Sequence, residues 1–221
     1  MCCRSCNGPN SKCQSSDSIS LELEVVSVAP KVFIIPDFLS DFEADTLIGI
    51  VNKSVKYSTI GDFEDKVESE TRTSRNTWIP RRTSALVDTL FRRAADAINV
   101  DEKLLHTNAN VEDIQIVHYV NGQKYDSHHD WGVSGYHESR YITMLMYLTD
   151  QEGPQAGGET AFPKGGHGGG FKVKPVKGDA VLFYNLLEDG NGDDLALHAA
   201  LPVWRGEKWL ANFWVSDPKR K

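Results

Sequence analysis

The chain has 221 residues, and its 24 lysines and arginines against 31 aspartates and glutamates give a formal net charge of −7. Hydrophobic residues make up 40% of the chain and charged residues 25%, which is typical of a folded globular protein and excludes a disordered or collagen-like chain. The acidic balance disfavours a nucleic-acid partner, because attraction to backbone phosphates needs a basic surface.

The N-terminal segment has a different composition from the rest of the chain. All four cysteines lie in it: Cys2, Cys3, Cys6 and Cys13. We interpret residues 1–20 as a flexible polar tail with incidental thiols, and a zinc site or acylation of these cysteines are the alternatives. Residues 21–221 are predicted to form a single domain.

No targeting or membrane segment is visible in the sequence. The first 20 residues lack the apolar core of a signal peptide, which favours a cytoplasmic location, or the endoplasmic reticulum if an upstream segment is missing. No run approaches the roughly 18 apolar residues that a membrane-spanning helix needs. We therefore expect no membrane span.

Two strands and two helices are predicted in the first half. Alternating and apolar runs predict strands over 21–28 and 31–38. Ser40 and Glu43 form a capping box that predicts a helix over 41–55, and a second helix is predicted over 82–98. The apolar face of the first helix is expected to contain Phe42, Leu47, Ile48 and Val51. Residues 59–80 are polar and are predicted to be irregular.

The second half is rich in short β-type segments separated by Gly, Asp, Asn and Pro. Six segments of this kind are EDIQIVHYV, RYITMLMYLTD, GFKVKP, DAVLFYN, AALPVWRG and KWLANFWVSD. No long helix joins them, so they predict an antiparallel sandwich or barrel, with the two helices covering one sheet.

Candidate metal ligands lie in two of these segments. His128 and Asp130 are two residues apart, and side chains at this spacing in an extended strand point to the same side. His198 begins a later apolar strand. Two imidazoles and one carboxylate form the facial triad of non-haem Fe(II) oxygenases, which leaves three coordination positions open, and zinc is the competing metal.

Lys208 follows His198 by ten residues in a largely apolar segment. Burial of this lysine would be costly without an anionic partner, and a dicarboxylate ligand could supply one. The alternative is a lysine on an exposed strand edge.

From Lys31 to about Asp217 the chain resembles the 2-oxoglutarate- and Fe(II)-dependent prolyl 4-hydroxylases of the collagen and plant/algal type. The matching pieces, in chain order, are Arg72-Thr73-Ser74, Tyr119-x-x-Gly122-Gln123-x-Tyr125-x-x-His128-x-Asp130, Arg140-x-x-Thr143-x-Leu145-x-Tyr147-Leu148, Gly157-Gly158-Glu159-Thr160-x-Phe162-Pro163, Gly178-Asp179-Ala180, His198-Ala199-Ala200-x-Pro202-Val203 and Lys208-Trp209. Their shared order and spacing, rather than any single piece, carry the resemblance.

The resemblance implies an α+β fold with a double-stranded β-helix (jelly-roll) core and supporting N-terminal helices. It also implies the site residues: metal ligands His128, Asp130 and His198; 2-oxoglutarate residues Lys208, Tyr119 and Thr160; and peptide-proline residues Arg140, Tyr125 and Trp214. Between the ligands stands His129, where the family often has an aromatic or apolar residue. Its side chain is expected to point to the opposite strand face.

The implied reaction is hydroxylation of peptidyl proline at C4, with Fe(II), 2-oxoglutarate, O₂ and ascorbate as cofactors and co-substrates, and release of succinate and CO₂. The expected partner is a proline-rich peptide or protein, and the chain is expected to act as a monomer. The alternatives are a sister dioxygenase acting on a lysyl residue, a free amino acid or a small metabolite, and a non-catalytic jelly-roll module that binds proline-rich peptides. A nucleic-acid demethylase is disfavoured by the acidic charge.

Overall fold

A computed structural model of the chain describes residues 21–52, 54–60, 67–68, 70–105, 110–132, 139–151 and 153–216. The predicted tail at residues 1–20, with its four cysteines, lies outside the described residues. The interpretation of that tail, and of residues 21–221 as a single domain, stays a prediction.

Short strands and two helices alternate in the first half. The strands are β1 (Glu24–Val28), β2 (Lys31–Ile35), β3 (Lys56–Tyr57), β4 (Thr59–Ile60), β5 (Val67–Glu68) and β6 (Arg75–Ile79). The helices are α1 (Asp41–Val51) and α2 (Ala85–Ala97), and short 3₁₀ turns lie at Arg81–Thr83 and Glu102–Leu104.

The second half consists of strands and short turns in the described residues. Its strands are β7 (Ile114–Tyr119), β8 (Tyr125–His128), β9 (Arg140–Tyr147), β10 (Thr160–Phe162), β11 (Phe171–Val173), β12 (Ala180–Tyr184), β13 (His198–Ala200) and β14 (Lys208–Ser216). Turns of 3₁₀ type lie at Gly166–Gly168 and Asp194–Ala196.

Two antiparallel sheets form the body of the protein. The major sheet has eight strands in the order β1-β2-β12-β9-β14-β7-β6-β3, and the minor sheet has four in the order β11-β10-β13-β8. A separate pair joins β4 and β5. The many non-consecutive neighbours are typical of a jelly roll, in which successive strands cross between the two sheets.

Two apolar layers hold these elements together. One lies between the helices and the outer face of the major sheet, where Leu47 and Phe91 pack with Ile116 and Phe213. The other lies between the two sheets and includes Tyr147 and Phe162. Alternate residues of each central strand therefore face either the helices or the barrel interior, and the interior face is the one that builds the site.

Helix α1 begins where the sequence predicts, at a capping box in which Ser40 and Glu43 bond to each other's backbone N–H groups. It ends at Val51 instead of residue 55. The predicted place of Phe42 on the buried face is wrong, since this side chain is 78% exposed. The buried face contains Ala44, and a separation of two residues turns a helix by about 200°, which puts Phe42 on the opposite side.

Helix α2 begins at Ala85, three residues after the predicted start, and Ser84 caps it. An ion pair ties the two helices, since Arg93 Nη2 lies 2.7 Å from Glu43 Oε1. Arg93 is the main reason that the pKa of the Glu43 carboxyl is lowered. The helix pair therefore packs as one layer over the major sheet, as the sequence predicts.

The prediction that residues 59–80 are irregular is wrong for the short paired strands β4 and β5 and for residues 75–79. Residues 75–79 form β6, which pairs along its whole length with β7. The side chains of this strand alternate between the two faces of the sheet. Because Arg75, Asn76 and Thr77 are all polar, the sequence does not show the alternation of apolar and polar residues that predicts a strand. The register places Trp78 opposite Gln115 on β7, at the barrel mouth.

The fold class is confirmed: the described chain is α+β, with a mostly antiparallel jelly-roll body and helices supplied by its N-terminal half. Neither helix in the described part of the chain is long and apolar enough to cross a membrane.

Candidate active site

The three predicted metal ligands meet where β8 and β13 pair. His128 ends β8, His198 begins β13, and the antiparallel register sets them directly opposite each other. Asp130 follows β8 in a bend, two residues after His128. One ligand atom from each of the three lies within 4.8 Å of the others, and no further cluster of three His, Cys, Asp or Glu side chains occurs in the described residues.

Both imidazoles are held in the form that a metal requires. Each Nδ1 lies at a backbone carbonyl, for His128 at 2.8 Å from Asp126 O and for His198 at 3.0 Å from Ala196 O. A carbonyl only accepts, so each Nδ1 carries a proton and Nε2 is the ring nitrogen that faces the site. Burial, assisted by the neighbouring His198, lowers the pKa of His128 to about 3, so its ring stays neutral.

The Asp130 carboxylate lies between the two rings and is 3% exposed. Its Oδ1 is 3.8 Å from His128 Nε2, and its Oδ2 is 3.7 Å from His198 Nε2. Burial alone would raise the pKa of Asp130, but His198, Arg140 and His128 outweigh it and hold that pKa well below the usual range. One carboxylate with two imidazoles is a donor set suited to Fe(II), so the residues present fit this metal.

His129 does not join this group, in agreement with the expectation from strand alternation. Its Nε2 lies 3.3 Å from the Asp194 carbonyl, and its ring packs 4.5 Å from that of Trp131. The ring therefore turns toward the 3₁₀ turn at Asp194–Ala196, away from the three ligands.

Lys208 is a fully buried cation at the start of β14, with 0% exposure. Among the described residues, its Nζ donates one hydrogen bond, to the Gly158 carbonyl oxygen at 2.6 Å. Burial lowers the pKa of Lys208 to about 7, although Glu159 acts in the opposite direction. An ammonium group in this setting is short of negative charge, so the pocket fits an anionic ligand such as the distal carboxylate of 2-oxoglutarate.

Three hydroxyl side chains surround this lysine. The Tyr119 and Tyr147 rings lie 5.7 Å and 5.6 Å from Nζ, and Tyr147 Oη is hydrogen-bonded to Thr160 Oγ1 at 2.8 Å. Burial raises the pKa of Tyr119 to about 12 and raises that of Tyr147 as well, so both phenols keep their protons and can donate. The structure therefore brings the predicted residues Lys208, Tyr119 and Thr160 together.

Tyr147 was given no role by the sequence reasoning, although the signal for it was present. Thr143, Leu145 and Tyr147 alternate along β9, so the inward position of one predicts the inward position of the others. The sequence alone does not show that Thr160, on the other sheet, contacts this tyrosine and so makes it part of the pocket.

Two aromatic rings flank the metal ligands. Tyr125 stacks on His128 with ring centroids 3.7 Å apart, and the Arg72 guanidinium lies 4.7 Å from the Tyr125 ring on β8. On the other side, Trp214 Nε1 donates to Asp130 Oδ2 at 2.9 Å. The two rings therefore form walls beside the ligands.

Arg140 links the second wall to the carboxylate. Its guanidinium lies 3.7 Å from the Trp214 ring centroid, and its Nη1 is 3.5 Å from Asp130 Oδ1. Glu112 accepts two bonds from it, at 2.6 and 2.9 Å. The sequence reasoning missed Glu112, because an acidic residue before a strand has no distinguishing pattern until its partner is known.

Trp78 was also missed, and it extends the Trp214 wall to the surface. The two rings have centroids 5.8 Å apart, and Trp78 is 42% exposed. An exposed aromatic ring that continues a buried one suits contact with a chain lying across the mouth of the site.

Residues 114–216 match the family described as the 2OG-Fe(II) oxygenase superfamily. Probable prolyl 4-hydroxylase 7 of Arabidopsis thaliana is 36% identical over 214 residues, which cover 86% of this chain and 64% of that protein. Probable prolyl 4-hydroxylase 6 of the same plant is 36% identical over 228 residues, 91% of this chain and 75% of that protein. The chain belongs to the prolyl 4-hydroxylase family.

A solved structure of a collagen prolyl hydroxylase has the same fold. The viral collagen prolyl hydroxylase vCPH of Paramecium Bursaria Chlorella virus-1, in its 2OG complex, aligns with a TM-score of 0.65 and 29% identity over 84% of this chain and 95% of that one. The family resemblance predicted from the sequence is therefore confirmed, and the matched region contains His128, Asp130, His198 and Lys208.

Proposed function

We propose that this prolyl 4-hydroxylase family member is a 2-oxoglutarate- and Fe(II)-dependent dioxygenase that hydroxylates peptidyl proline at C4. The observation that carries the proposal is that a His₂-Asp ligand set and a fully buried lysine lie in one barrel. The His₂-Asp set could hold a metal, and the lysine, which has no carboxylate hydrogen-bond partner among the described residues, could pair with an anion.

Each part of this machinery is supplied by named residues. His128, Asp130 and His198 would hold Fe(II). Lys208 would pair with the distal carboxylate of 2-oxoglutarate, and neutral phenols of the kind described around it would donate to the same group. We also propose that the protein acts as a monomer.

The substrate residues are proposed from the same geometry. Tyr125 and Trp214 lie on either side of the ligands, with Tyr125 stacked on His128 and Trp214 against Arg140, and Arg140 can donate to a backbone carbonyl of the peptide. A proline-rich peptide adopts a polyproline II helix before binding, so little conformational entropy is lost when it docks against these rings.

When bound, Fe(II) with 2-oxoglutarate and O₂ supplies the oxidising chemistry, in which 2-oxoglutarate becomes succinate and CO₂ and one oxygen atom enters the C4–H bond of proline. The protein orients the groups and keeps water away from them. Lys208 would hold one end of the co-substrate, Asp130 and the two imidazoles would hold the metal, and Tyr125 with Trp214 would contact the proline ring.

The proposal is tested by mass spectrometry of proline-rich peptides incubated with the protein, Fe(II), 2-oxoglutarate, ascorbate and air. We expect proline residues to gain one oxygen atom, and we expect no gain with His198→Ala. Consumption of 2-oxoglutarate without any peptide product would point to a sister dioxygenase with another substrate. No product and no consumption, in a protein that binds iron, would contradict the enzyme and leave a peptide-binding module.

A matched pair of variants separates the peptide site from the metal site. Tyr125→Phe keeps the ring that stacks on His128, and Tyr125→Ala removes it. Loss of a buried aromatic face costs about 1.5–3 kcal/mol. We therefore expect Tyr125→Ala to raise KM for the peptide roughly 10- to 100-fold, and Tyr125→Phe to leave it nearly unchanged.

Binding of 2-oxoglutarate is predicted to weaken as the pH rises above about 7. Lys208 has a pKa of about 7 in the free protein because it is buried, and a bound carboxylate raises that pKa. Above pH 7 the ligand must therefore bring in a proton, so Kd should rise up to about tenfold per pH unit. Anaerobic calorimetry between pH 6.5 and 8.5, in buffers of different ionisation enthalpy, measures both the affinity and the proton uptake.

The control for this pH dependence is Lys208→Arg, whose guanidinium stays charged throughout the range. Its affinity, even if lower, should not change with pH. A pH-independent Kd in the unmodified protein, without proton uptake, would show that the lysine is already charged before the ligand binds.

A further inference from the structure

The Asp130 carboxylate has two oxygens in very different surroundings. Oδ2 accepts a hydrogen bond from Thr143 Oγ1 at 2.6 Å and another from Trp214 Nε1 at 2.9 Å. Among the described residues, Oδ1 accepts one hydrogen bond, the longer one from Arg140 Nη1 at 3.5 Å, and His128 Nε2 lies 3.8 Å from it. Each carboxylate oxygen has two lone pairs, so the acceptor capacity of Oδ2 is filled and that of Oδ1 is not.

Asn185 determines the direction of the Thr143 hydroxyl. Asn185 Nδ2 lies 2.7 Å from Thr143 Oγ1. A hydroxyl has one proton, and Asp130 is a charged acceptor, so the threonine proton goes to Oδ2 and Thr143 must accept from the amide. The resulting chain of donors runs from Asn185 through Thr143 to Asp130, and each bond polarises the next.

The strands hold this chain rigidly. Thr143 lies on β9 opposite Phe183 on β12, and Asn185 follows that strand directly. The backbone of Asn185 is fixed at both ends, since its N–H donates to Tyr141 O and its carbonyl accepts from Asp193 N–H. Both Thr143 and Asn185 are fully buried at 0% exposure, so no bulk water competes for their hydrogen bonds.

We propose that Thr143 and Asn185 are positioning residues that make Asp130 bind the metal through Oδ1 alone. With Oδ2 occupied by two donors, the carboxylate takes one coordination position. This keeps the remaining positions open for a chelating co-substrate and O₂. The proposal rests on the proposed function for the identity of those ligands, but the orientation of Asp130 follows from the three bonds themselves.

The test compares Thr143→Val, which keeps the branched shape and removes the hydroxyl, with Thr143→Ser, which keeps the hydroxyl. Anaerobic titration with Fe(II) and with Co(II) gives metal affinity, and the visible bands of bound Co(II) report its coordination. Loss of a residue that orients a metal ligand typically reduces metal affinity 10- to 100-fold. We expect that loss, with shifted Co(II) bands, for Thr143→Val only, and a change of less than about threefold for Thr143→Ser.

A double-mutant cycle tests the role of Asn185. If Asn185 acts through the threonine hydroxyl, Asn185→Leu weakens metal binding in the original protein but adds no further loss in Thr143→Val. Full additivity of the two losses would overturn the relay. Thermal melts of every variant, measured without metal, identify any that fail to fold.

Other outcomes are equally decisive. Unchanged metal affinity and unchanged Co(II) bands in a folded Thr143→Val variant would overturn the proposal, as would equal losses in the valine and serine variants. These measurements need no peptide, so they stand apart from the search for a substrate. An unmodified protein that bound neither Fe(II) nor Co(II) would instead overturn the proposed function.

Discussion

Lys208→Met is expected to remove 2-oxoglutarate binding and at the same time to stabilise the ligand-free protein. In the variant, the distal carboxylate of the ligand would be buried without its partner, which costs about 3–5 kcal/mol. That penalty corresponds to a roughly 140- to 4,000-fold rise in Kd. Calorimetric titration of the metal-loaded variant with 2-oxoglutarate measures it.

The gain in stability follows from the pKa of the buried lysine. Burial lowers this pKa from 10.5 to about 7, so between these pH values the unfolded chain binds more protons than the folded one. The stability of the original protein therefore rises as the pH increases from 7 towards 10.5. A methionine has no charge to bury, and we expect it to raise the free energy of unfolding at pH 7 by about 1–4 kcal/mol.

Urea unfolding at pH 7 and at pH 10 distinguishes this account from a simple packing effect. The stability difference between Lys208→Met and the original protein should shrink at the higher pH, where the lysine is closer to neutral in both states. A methionine variant that is less stable at pH 7 would show that Lys208 is already well satisfied by the Gly158 carbonyl.

Asp130→Asn is expected to abolish metal binding with little change in side-chain shape. The asparagine has no negative charge with which to bind the metal. If its NH₂ group faced Thr143 and Trp214, which both donate hydrogen bonds to Asp130, donor would meet donor. It also leaves Arg140 without the charge that lies 3.5 Å from it. We expect no detectable Fe(II) binding at micromolar protein, and no peptide hydroxylation.

The measurement is anaerobic Fe(II) titration followed by the peptide assay. Asp130→Glu is the matched control, because it keeps the charge and changes only the reach of the side chain. Partial metal affinity in the glutamate variant and none in the asparagine variant would assign the effect to charge. Full activity of Asp130→Asn would contradict the assignment of this residue as a ligand.

The sequence was sufficient to predict the local part of the site. The spacing of His128 and Asp130 indicated convergence, and it remains correct although Asp130 lies in a bend after the strand. The apolar run around Lys208 indicated that burial would need an anion. The order of the family motifs then predicted the jelly roll that holds both, and that prediction is confirmed.

The non-local part of the site could not be read in this way. The contact of Tyr147 with Thr160, and that of Asn185 with Thr143, depends on which strands are neighbours and in what register. Propensity and period describe one segment at a time, whereas register is set by the packing of whole sheets. The same limit explains β6, whose polar residues are tolerated because the strand lies toward the edge of its sheet, where β3 is its outer neighbour.

The direct pairing of His128 with His198 has a mechanical consequence. β8 is the outermost strand of the minor sheet, and β13 is its ladder neighbour. An ion held by both histidines would be a cross-link between two distant points of the chain, at the end of the β8–β13 pair. Iron binding would therefore make this part of the barrel more rigid. A shortage of iron would loosen β8, the strand that carries Tyr125.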